Sequence, residues 1–518
     1  ASLWGLEAIP VQVEVDVANG LPSFDLVGLP NLSIRESRER VRSAVRNSGL
    51  EFPLKRITVN LAPADLRKEG PSFDLPIAIG ILAATGQVPA EQTEGIVWVG
   101  ELSLDGQVRG VNGVLAMAAL VRELSRAENR EYRLAVPGEN AGEAELLLPG
   151  RVWPVRQLVE IVKILRKEGV EGETGEEDSP LQPAGDSALE LAMLPGGPQA
   201  PDLSEVRGHR LAKRALEVAA AGGHHLMLLG PPGSGKTMLS RCLPSILPAL
   251  SFDECLEVTR IYSIAGLLKK GQHLVAERPF RAPHHTCSAA ALVGGGRAAR
   301  PGEISLAHGG VLFLDEMLEF SREALEALRQ PLEDGVITVS RAGASHAFPC
   351  RFLLVGSMNP CPCGFLGDDR RECNCTPRQI HRYRQRLSGP LRDRFDLQVE
   401  VPRLEFAELS PAAEESSAKV RERVEAARAR QRERFKELNL SANGEMSHQH
   451  LERFCRLGRT ARAMLGAAYR QLGLSVRAHD RILRVARTIA DLEGSGDIQE
   501  VHLAEAIHYR SLDRRAFG

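Results

Sequence analysis

Residues 226–237 read Leu-Met-Leu-Leu-Gly-Pro-Pro-Gly-Ser-Gly-Lys-Thr, and this stretch decides the fold class of the chain. The four apolar residues predict a buried parallel strand, and residues 238–243 predict the first turns of a helix. Between them lies the complete pattern G-x-x-x-x-G-K-[ST] of a phosphate-binding loop (P-loop). Small residues let consecutive backbone N–H groups surround phosphate oxygens at the N-terminus of a helix. The stretch therefore predicts a nucleotide-binding α/β core.

The residues of this loop have expected tasks. Lys236 is expected to reach the β- and γ-phosphates, and the hydroxyl of Thr237 is expected to ligate Mg²⁺. The expected nucleotide contacts are Gly230, Pro231, Pro232, Gly233, Ser234, Gly235, Lys236, Thr237 and Met238.

Residues 311–316 read Val-Leu-Phe-Leu-Asp-Glu, an apolar strand that ends in two carboxylates. The carboxyl ends of parallel strands form the ligand-binding edge of such sheets, so both acids are expected beside the P-loop. Asp315 is expected to hold Mg²⁺ through water, and Glu316 to orient and deprotonate the attacking water. The pair favours ATP hydrolysis over ATP binding alone.

A further predicted strand over 352–357 leads to Asn359, whose amide can reach the γ-phosphate and its attacking water. The alternative is that Asn359 simply forms a turn before Pro360. Residues 388–396 place Arg392 and Arg394 in one short segment. An arginine supplied by a neighbouring subunit stabilises charge on the transferring phosphoryl group, and Arg394 is the expected finger. The alternative is a salt-bridged surface arginine.

Bulk properties limit the class of protein. A length of 518 residues implies about three domains. The formal net charge is −2, so contact with nucleic acid requires a local basic surface. No stretch approaches the apolar length of a membrane span, and 75–84 is expected to be a core helix. The nine cysteines, four of them close together, favour a reducing compartment, which we take to be the cytoplasm.

Composition divides the chain into four segments. Residues 1–166 mix short strands with helices in an α+β pattern, and 167–200 have the composition of a flexible linker. Residues 201–402 alternate strands and helices as a parallel nucleotide-binding sheet does, and 403–518 are expected to be helical. A charged helix near 415–436 is either a solvated surface or a partner-binding face. In the first segment we predict strands at 11–17, 56–60, 95–99 and 133–136, and helices at 33–47, 76–84 and 114–124.

Four stretches resemble the magnesium-chelatase-like AAA+ ATPases and, within them, the YifB/ComM family. They are Arg-Pro-Phe-Arg-Ala-Pro-His-His-Thr at 278–286, Gly-Gly-Gly at 294–296, Pro-Gly-Glu-Ile-Ser-Leu-Ala-His-Gly-Gly-Val-Leu-Phe-Leu-Asp-Glu at 301–316 and Asn-Pro-Cys-Pro-Cys-Gly at 359–364. The resemblance covers nearly the whole chain. It implies a homo-hexameric ring with ATP bound between subunits, built on an AAA+ core with an all-α C-terminal lid.

The resemblance also implies residue roles. Asn359 would be the sensor-1 residue, Arg394 the arginine finger and Arg477 the sensor-2 residue of the lid. Arg392 stands where an apolar residue is expected and competes for the finger role, but Arg394 keeps the better match. The family places an insertion near 288–300 and a hairpin near 336–341, which point into the pore of related ring motors. The candidate DNA contacts are therefore Arg297, Arg300 and Arg341, with exposed loop arginines as the alternative.

Four cysteines follow the sensor segment as C-x-C…x₉…C-x-C, at Cys361, Cys363, Cys373 and Cys375. Four thiolates in so short a loop suit tetrahedral Zn²⁺, although the usual knuckle spacing is C-x-x-C. Reduced loop cysteines without metal are the alternative. A closed four-sulfur site leaves no position for catalysis, so the expected role of the metal is structural. His284 and His285 are expected to be local hydrogen-bonding residues rather than metal ligands.

The N-terminal segment resembles the proteolytic domain of Lon at residues 100–108 and at 69–72, where Ser72 stands in the place of the nucleophile. A serine–lysine dyad needs a lysine to activate the serine. The helix that should supply it, at 113–120, contains none. Ser72 is therefore expected to be inert, and the domain is expected to dock DNA or a partner or to complete the ring.

Three functions remain open. The resemblance implies a hexameric helicase or branch-migration motor on single-stranded or branched DNA, working with recombination proteins in natural transformation. A magnesium-chelatase motor subunit is the second, although the Lon-like segment and the cysteine loop count against it. An ATP-dependent protease or chaperone is the third, and the missing lysine weakens it.

Overall fold

The structure is a computed structural model that describes residues 1–64, 68, 70–168, 200–296, 300–341, 344–368, 370–404, 414–438 and 440–510. Most of the expected linker at 167–200 lies outside the described residues, and so does the candidate DNA contact Arg297. The side chain of Arg341 is also outside them, although its backbone is described. Among the helices that the structure describes, none has the length and apolar character needed to cross a bilayer.

A five-stranded parallel sheet forms the centre of the molecule. Across the sheet the strands run in the order Phe280–Arg281, Val311–Leu314, Leu353–Met358, Leu226–Leu229 and Leu397–Glu400. The register pairs Leu229 with Met358 and Glu400, and Leu314 with Gly356. The strands that precede the P-loop, Asp315 and Asn359 therefore end at one edge of the sheet, as the sequence predicted.

Helices cover this sheet, and a buried apolar cluster joins the sheet to the C-terminal helices. The Met227, Leu312 and Leu354 side chains point to the opposite face and belong to a second cluster. The helices of the core are Arg210–Gly222, Lys236–Ile246, Phe252–Ala265, Ala289–Val293, Glu303–Leu306, Arg322–Glu326, Arg329–Asp334, Pro377–Arg384 and Gly389–Arg392. Two small antiparallel pairs lie outside the central sheet, Gly294–Gly295 with Arg300–Pro301, and Val336–Arg341 with Ala344–Pro349.

The N-terminal segment is a mixed α/β domain. One sheet places Arg56–Ala62 between Gln12–Ala18, which is antiparallel to it, and Ser23–Val27, which is parallel. The other is parallel and contains Ile96–Trp98, Arg133–Pro137 and Val152–Val155. Short pairs join Ser2–Trp4 to Glu7–Ile9 and Glu101–Leu102 to Val108–Arg109. The helices are Leu32–Asn47, Asp74–Ala84, Val114–Ala127, Ala141–Glu145 and Leu158–Arg166. The strands and helices predicted here are confirmed, with ends that move by no more than three residues.

The described part of the C-terminal segment consists of helices: Ser417–Arg434, His448–Phe454, Arg459–Leu472, Val476–Leu492 and Glu500–His508. The predicted charged helix is the first of them. It buries Val420, Val424 and Ala427 within the cluster that also contains the sheet, so its apolar side packs on this chain itself. A buried carboxylate strengthens the helix packing, because Asp491 accepts hydrogen bonds from Arg434 at 2.7 and 2.5 Å.

The N-terminal domain is joined to the core by specific contacts. The backbone N–H of Gly113 donates to the carbonyl oxygen of Ser263 at 3.2 Å and to its hydroxyl at 3.0 Å. That hydroxyl also contacts the buried carboxylate of Glu143. At a second point, the ring of Trp4 packs edge-on against His346 of the hairpin, with ring centroids 4.8 Å apart. The domain therefore touches two elements of the core, the helix Phe252–Ala265 and the hairpin.

Candidate nucleotide-binding site

The P-loop has the backbone conformation that its glycines permit. Gly233 and Gly235 adopt φ values of 76° and 86°, a region that residues with a side chain rarely enter. A Cβ atom on Gly230 would lie 2.1 Å from the carbonyl oxygen of Val401, so only glycine fits beside the neighbouring strand. The helix that follows begins at Lys236. The loop therefore ends on a helix N-terminus, which is the arrangement that binds phosphate.

The ammonium group of Lys236 lies over this loop. Its Nζ donates hydrogen bonds to the carbonyl oxygens of Gly230 at 2.7 Å and Pro231 at 2.8 Å, and lies 3.4 Å from Oδ1 of Asn359. The residue is 8% exposed. Burial lowers the pKa of Lys236 to about 8. A phosphate group is a favourable partner for this buried cation. Its negative charge stabilises the ammonium group, which has lost contact with water.

Thr237 and Asp315, the two residues from which the sequence predicts a magnesium site, lie in direct contact. The Thr237 hydroxyl donates to Oδ2 of Asp315 at 2.8 Å. The buried hydroxyl of Ser357 donates to the other carboxylate oxygen at 2.5 Å and fixes its orientation. Hydroxyl and carboxylate oxygens are hard ligands of the type that Mg²⁺ prefers. The donor set therefore fits Mg²⁺, and Ser357 is a supporting residue that the motif alone did not identify.

Glu316 lies at the same edge with its side chain exposed. Its φ is 49°, unusual for a residue with a side chain. Its backbone N–H donates to Asp315 Oδ1 and to Ser357 Oγ, both at 3.1 Å, and these bonds hold the unusual conformation. Backbone conformations of this kind cluster at functional sites. The carboxylate is 54% exposed, so a water molecule can reach it.

His285 is a neighbour of this acid that the sequence did not assign to the site. Its Nδ1 lies 3.9 Å from Oε2 of Glu316. Its ring packs against that of His284, with centroids 4.1 Å apart, and His284 Nδ1 lies 2.9 Å from the Thr286 hydroxyl. The structure thus shows the expected local hydrogen bond for His284, whereas His285 contacts the neighbouring ring and Glu316. The sequence did contain one indication that His285 lies near Glu316. His285 comes a few residues after the strand Phe280–Arg281, at the sheet edge that holds Glu316.

Arg394 and Arg477, the predicted finger and sensor-2 residues, lie together around a different acid, Glu333. Arg394 Nη2 is 2.7 Å from Oε2 of Glu333. The hydrogen bond from Arg394 lowers the pKa of Glu333, and the charge of Arg477 contributes further. Arg477 is exposed in the first turn of the helix Val476–Leu492. Among the described contacts of the chain, none joins this arginine pair to Lys236 or Asp315.

The cysteine loop places four sulfur atoms in one cluster. The Sγ of Cys361 lies 3.3 Å from that of Cys363 and 3.6 Å from that of Cys373. With Cys375 included, all four sulfur atoms are within 4.8 Å of one another. A tetrahedral Zn²⁺ bound by four thiolates has Zn–S bonds of about 2.3 Å and needs sulfur atoms at about this spacing. The cluster therefore fits a structural metal ion.

Two other predicted positions can also be located. Ser72 lies in the turn Pro71–Phe73 and is 9% exposed, and its carbonyl oxygen accepts a hydrogen bond from Gly100 N–H at 3.1 Å. The helix Val114–Ala127 carries no lysine, so the reason for expecting an inert serine stands. Arg300 is exposed on the short strand Arg300–Pro301.

Comparison with known proteins identifies relatives along nearly all of the chain. Residues 13–140 match a family model described as subunit ChlI of Mg-chelatase. Residues 202–409 match magnesium chelatase, subunit ChlI, and residues 414–510 match the C-terminal part of that subunit. The Magnesium-chelatase 67 kDa subunit of Chlorobaculum parvum is 30% identical over 163 residues, which are 30% of this chain and 23% of that protein.

Two bacterial relatives match over almost their full lengths. Competence protein ComM of Haemophilus influenzae is 47% identical over 513 residues, covering 98% of this chain and 96% of the relative. Uncharacterized protein YifB of Escherichia coli is 44% identical over 513 residues, with the same coverage of 98% and 96%. With this similarity and the P-loop site described above, the chain belongs to the YifB/ComM family of magnesium-chelatase-like AAA+ ATPases.

Proposed function

We propose that this protein is an ATP-hydrolysing, homo-hexameric motor that moves branched or single-stranded DNA. The observation that carries the hydrolytic part is the cluster of Lys236, Thr237, Asp315 and Glu316 at one sheet edge. Lys236 would contact the β- and γ-phosphates, and Thr237 and Asp315 would hold Mg²⁺. The metal ion supplies charge neutralisation at the phosphates when bound. Glu316 takes a proton from the attacking water.

The ring completes this site in the proposal. Asn359 lies 3.4 Å from the ammonium of Lys236 and so can contact the γ-phosphate. Arg394 and Arg477 lie together around the exposed Glu333, away from the contacts of their own P-loop. We therefore assign Arg394 as the finger that reaches the nucleotide of a neighbouring subunit, and Arg477 as the lid residue that senses the nucleotide.

DNA is the proposed substrate of the motor, and homologous recombination during natural transformation is the proposed setting. The name of the Haemophilus relative, a competence protein, supports this choice. The exposed Arg300 lies in the insertion that we expect to line the ring pore. Arg297 and Arg341 are proposed as further DNA contacts. Contacts of this kind with phosphates are indifferent to sequence and weaken as salt rises.

A forked-DNA assay tests this proposal. We expect forked DNA to stimulate ATP hydrolysis and the protein to displace the paired strand. Arg300→Ala should lower the stimulation severalfold without changing hydrolysis in the absence of DNA. Arg462→Ala, which removes an exposed arginine from a C-terminal helix, is the matched control. An assembled ring that hydrolyses ATP but neither responds to DNA nor displaces a strand would contradict the DNA motor.

The second candidate is a chelatase-type motor subunit, and the match to the magnesium-chelatase family models favours it. In that case a protein partner rather than DNA stimulates hydrolysis, as it also would for an ATP-dependent chaperone. DNA-independent hydrolysis that rises with such a partner would favour these alternatives.

We also propose Zn²⁺ as the ion of the cysteine cluster. Four sulfur ligands without an oxygen or nitrogen ligand match the closed structural sites of this metal. Elemental analysis of the purified protein should give about one zinc per chain, and the Cys373→Ser variant should give less. A zinc content near zero in freshly purified protein would contradict the assignment.

A further inference from the structure

The cysteine loop lies directly against the P-loop. A Cβ atom on Gly364, the residue after Cys363, would lie 2.6 Å from Cδ and 2.7 Å from Cγ of Pro232. Gly364 is buried, with φ at 83°, so it is both closely packed and in a conformation that favours glycine. Pro232 belongs to the turn that the Lys236 ammonium spans through the carbonyl oxygens of Gly230 and Pro231.

Arg403 joins the two loops a second time. Its Nη2 donates to the carbonyl oxygen of Pro232 at 3.3 Å, and its Nε lies 3.2 Å from Oδ2 of Asp368. Its guanidinium also stacks over the ring of Phe365, 5.6 Å from the centroid. Asp368 and Phe365 belong to the cysteine loop, whereas Pro232 belongs to the P-loop. One side chain therefore holds the two loops in a fixed relation.

A few hydrogen bonds hold the described part of the cysteine loop, among them those from the backbone N–H groups of Arg370 and Arg371 to Asp368. Between the strand Leu353–Met358 and the helix Pro377–Arg384, its described residues form turns and no regular element. A chain segment of this length pays a large conformational entropy on ordering. A metal ion bound by four of its thiolates would restrict the loop even when no nucleotide is bound. It would thereby fix the position of Gly364.

We propose that Gly364 and Arg403 are positioning residues for the P-loop, and that the metal-bound cysteine loop is the support through which they act. Removal of the metal then loosens the packing of Gly364 against Pro232 and weakens nucleotide binding. The inference rests on the proposed function only in requiring that the P-loop binds ATP, and it requires neither DNA nor strand displacement.

Two glycines of the loop give a matched test. Gly364 and Gly367 have nearly equal φ values, 83° and 81°, but a Cβ on Gly367 has nothing within 4 Å. Gly364→Ala should weaken binding of a fluorescent ATP analogue about tenfold or more and raise KM for ATP with kcat little changed. Gly367→Ala carries the same backbone strain and should bind as the unmodified protein does. Equal affinities of the two variants would overturn the proposal.

Two arginines provide an independent pair. Arg371 and Arg403 both stack on Phe365, at 5.2 and 5.6 Å, but Arg403 is the one with a hydrogen bond to Pro232. Arg403→Ala should weaken binding of the analogue severalfold, and Arg403→Lys should restore part of the affinity. Arg371→Ala should leave the affinity unchanged. Similar losses in the Arg371 and Arg403 variants would show that ring stacking alone matters, against the proposal.

Metal removal completes the test. Chelation of the metal from the purified protein should lower its affinity for the analogue, and added Zn²⁺ should restore the affinity. The affinity is measured without Mg²⁺, so that an effect of the chelator on Mg²⁺ does not enter the result. Cys373→Ser should reproduce the loss, and Cys287→Ser, a cysteine outside the cluster, should not. Unchanged affinity in metal-free protein would overturn the support role. Failure of the unmodified protein to bind the analogue at all would instead defeat the proposed function.

Discussion

The hydroxyl of Thr237 donates a hydrogen bond of 2.8 Å to Oδ2 of Asp315, across 78 positions of sequence. The two residues follow different strands of the central sheet, and the strand Leu353–Met358 lies between those strands. The bond is therefore a product of the strand order. It gathers two oxygen ligands at one point before any ion is bound.

Thr237→Ala should raise the Mg²⁺ concentration required for half-maximal ATP hydrolysis by about tenfold, because one hard oxygen ligand is lost. A magnesium titration of the hydrolysis rate measures this. Thr237→Ser keeps the hydroxyl and should remain close to the unmodified protein. An unchanged magnesium requirement in Thr237→Ala would exclude this ligand.

Glu316→Gln should lower kcat by about two to four orders of magnitude while ATP still binds, because the amide cannot accept the proton from water. Steady-state hydrolysis and binding of a fluorescent ATP analogue separate the two effects. Glu319→Gln is the matched control, since Glu319 is a nearby partly exposed acid that pairs with Arg386 at 2.9 Å. Normal turnover by Glu316→Gln would show that another group is the base.

Nucleotide affinity should fall as pH rises above about 8. The pKa of Lys236 is lowered to about 8 in the free protein, and bound phosphate raises it, so the charged form is favoured in the complex. The contribution of the charge is complete below the free pKa and is lost as pH rises toward the pKa of the complex. Within that window the Kd should rise up to about tenfold per pH unit.

Binding titrations of the ATP analogue between pH 7 and 9.5 measure this dependence. The Lys236→Met variant should bind the analogue weakly, with a Kd that changes little over the same pH range. This control separates titration of Lys236 from titration of the nucleotide. A pH-independent Kd for the unmodified protein would contradict the lowered pKa.

Arg394→Ala should lower hydrolysis by orders of magnitude if the arginine acts on a neighbouring subunit. Glu333→Gln removes its partner at 2.7 Å without removing the arginine and should retain most of the activity. Mixtures of inactive Arg394→Ala and Lys236→Ala subunits should regain hydrolysis, because some interfaces then contain both residues. Mixtures that stay inactive, although mixed rings assemble, would place the arginine elsewhere.

Asp491→Ala should lower the free energy of unfolding by about 3–5 kcal/mol, because it leaves buried cations without their partner. The Asp491 carboxylate is 1% exposed and pairs with Arg434 and Arg487. Chemical denaturation followed by circular dichroism measures the change. Asp497→Ala removes an exposed acid from the following loop and should change stability by about 0.5 kcal/mol or less.

Local patterns predicted the elements of the fold well. Alternating apolar residues placed the strand Arg56–Ala62, and the continuous apolar run placed Val311–Leu314, within a few residues. The P-loop and the acids after the strand identified the nucleotide edge, because a motif of this kind is a local arrangement with a local cause. The charged helix was harder to interpret, since only its packing partner decides which side of it is buried.

The sequence by itself determined that this chain binds nucleotide on a parallel sheet, because the P-loop, its flanking strand and helix, and the acidic strand end are written in short contiguous stretches. The tertiary structure alone decided three other relationships: His285 beside Glu316, Arg394 on Glu333, and Gly364 against Pro232. Each joins residues far apart in the chain. Such contacts depend on strand order and loop packing, which no single stretch of sequence encodes.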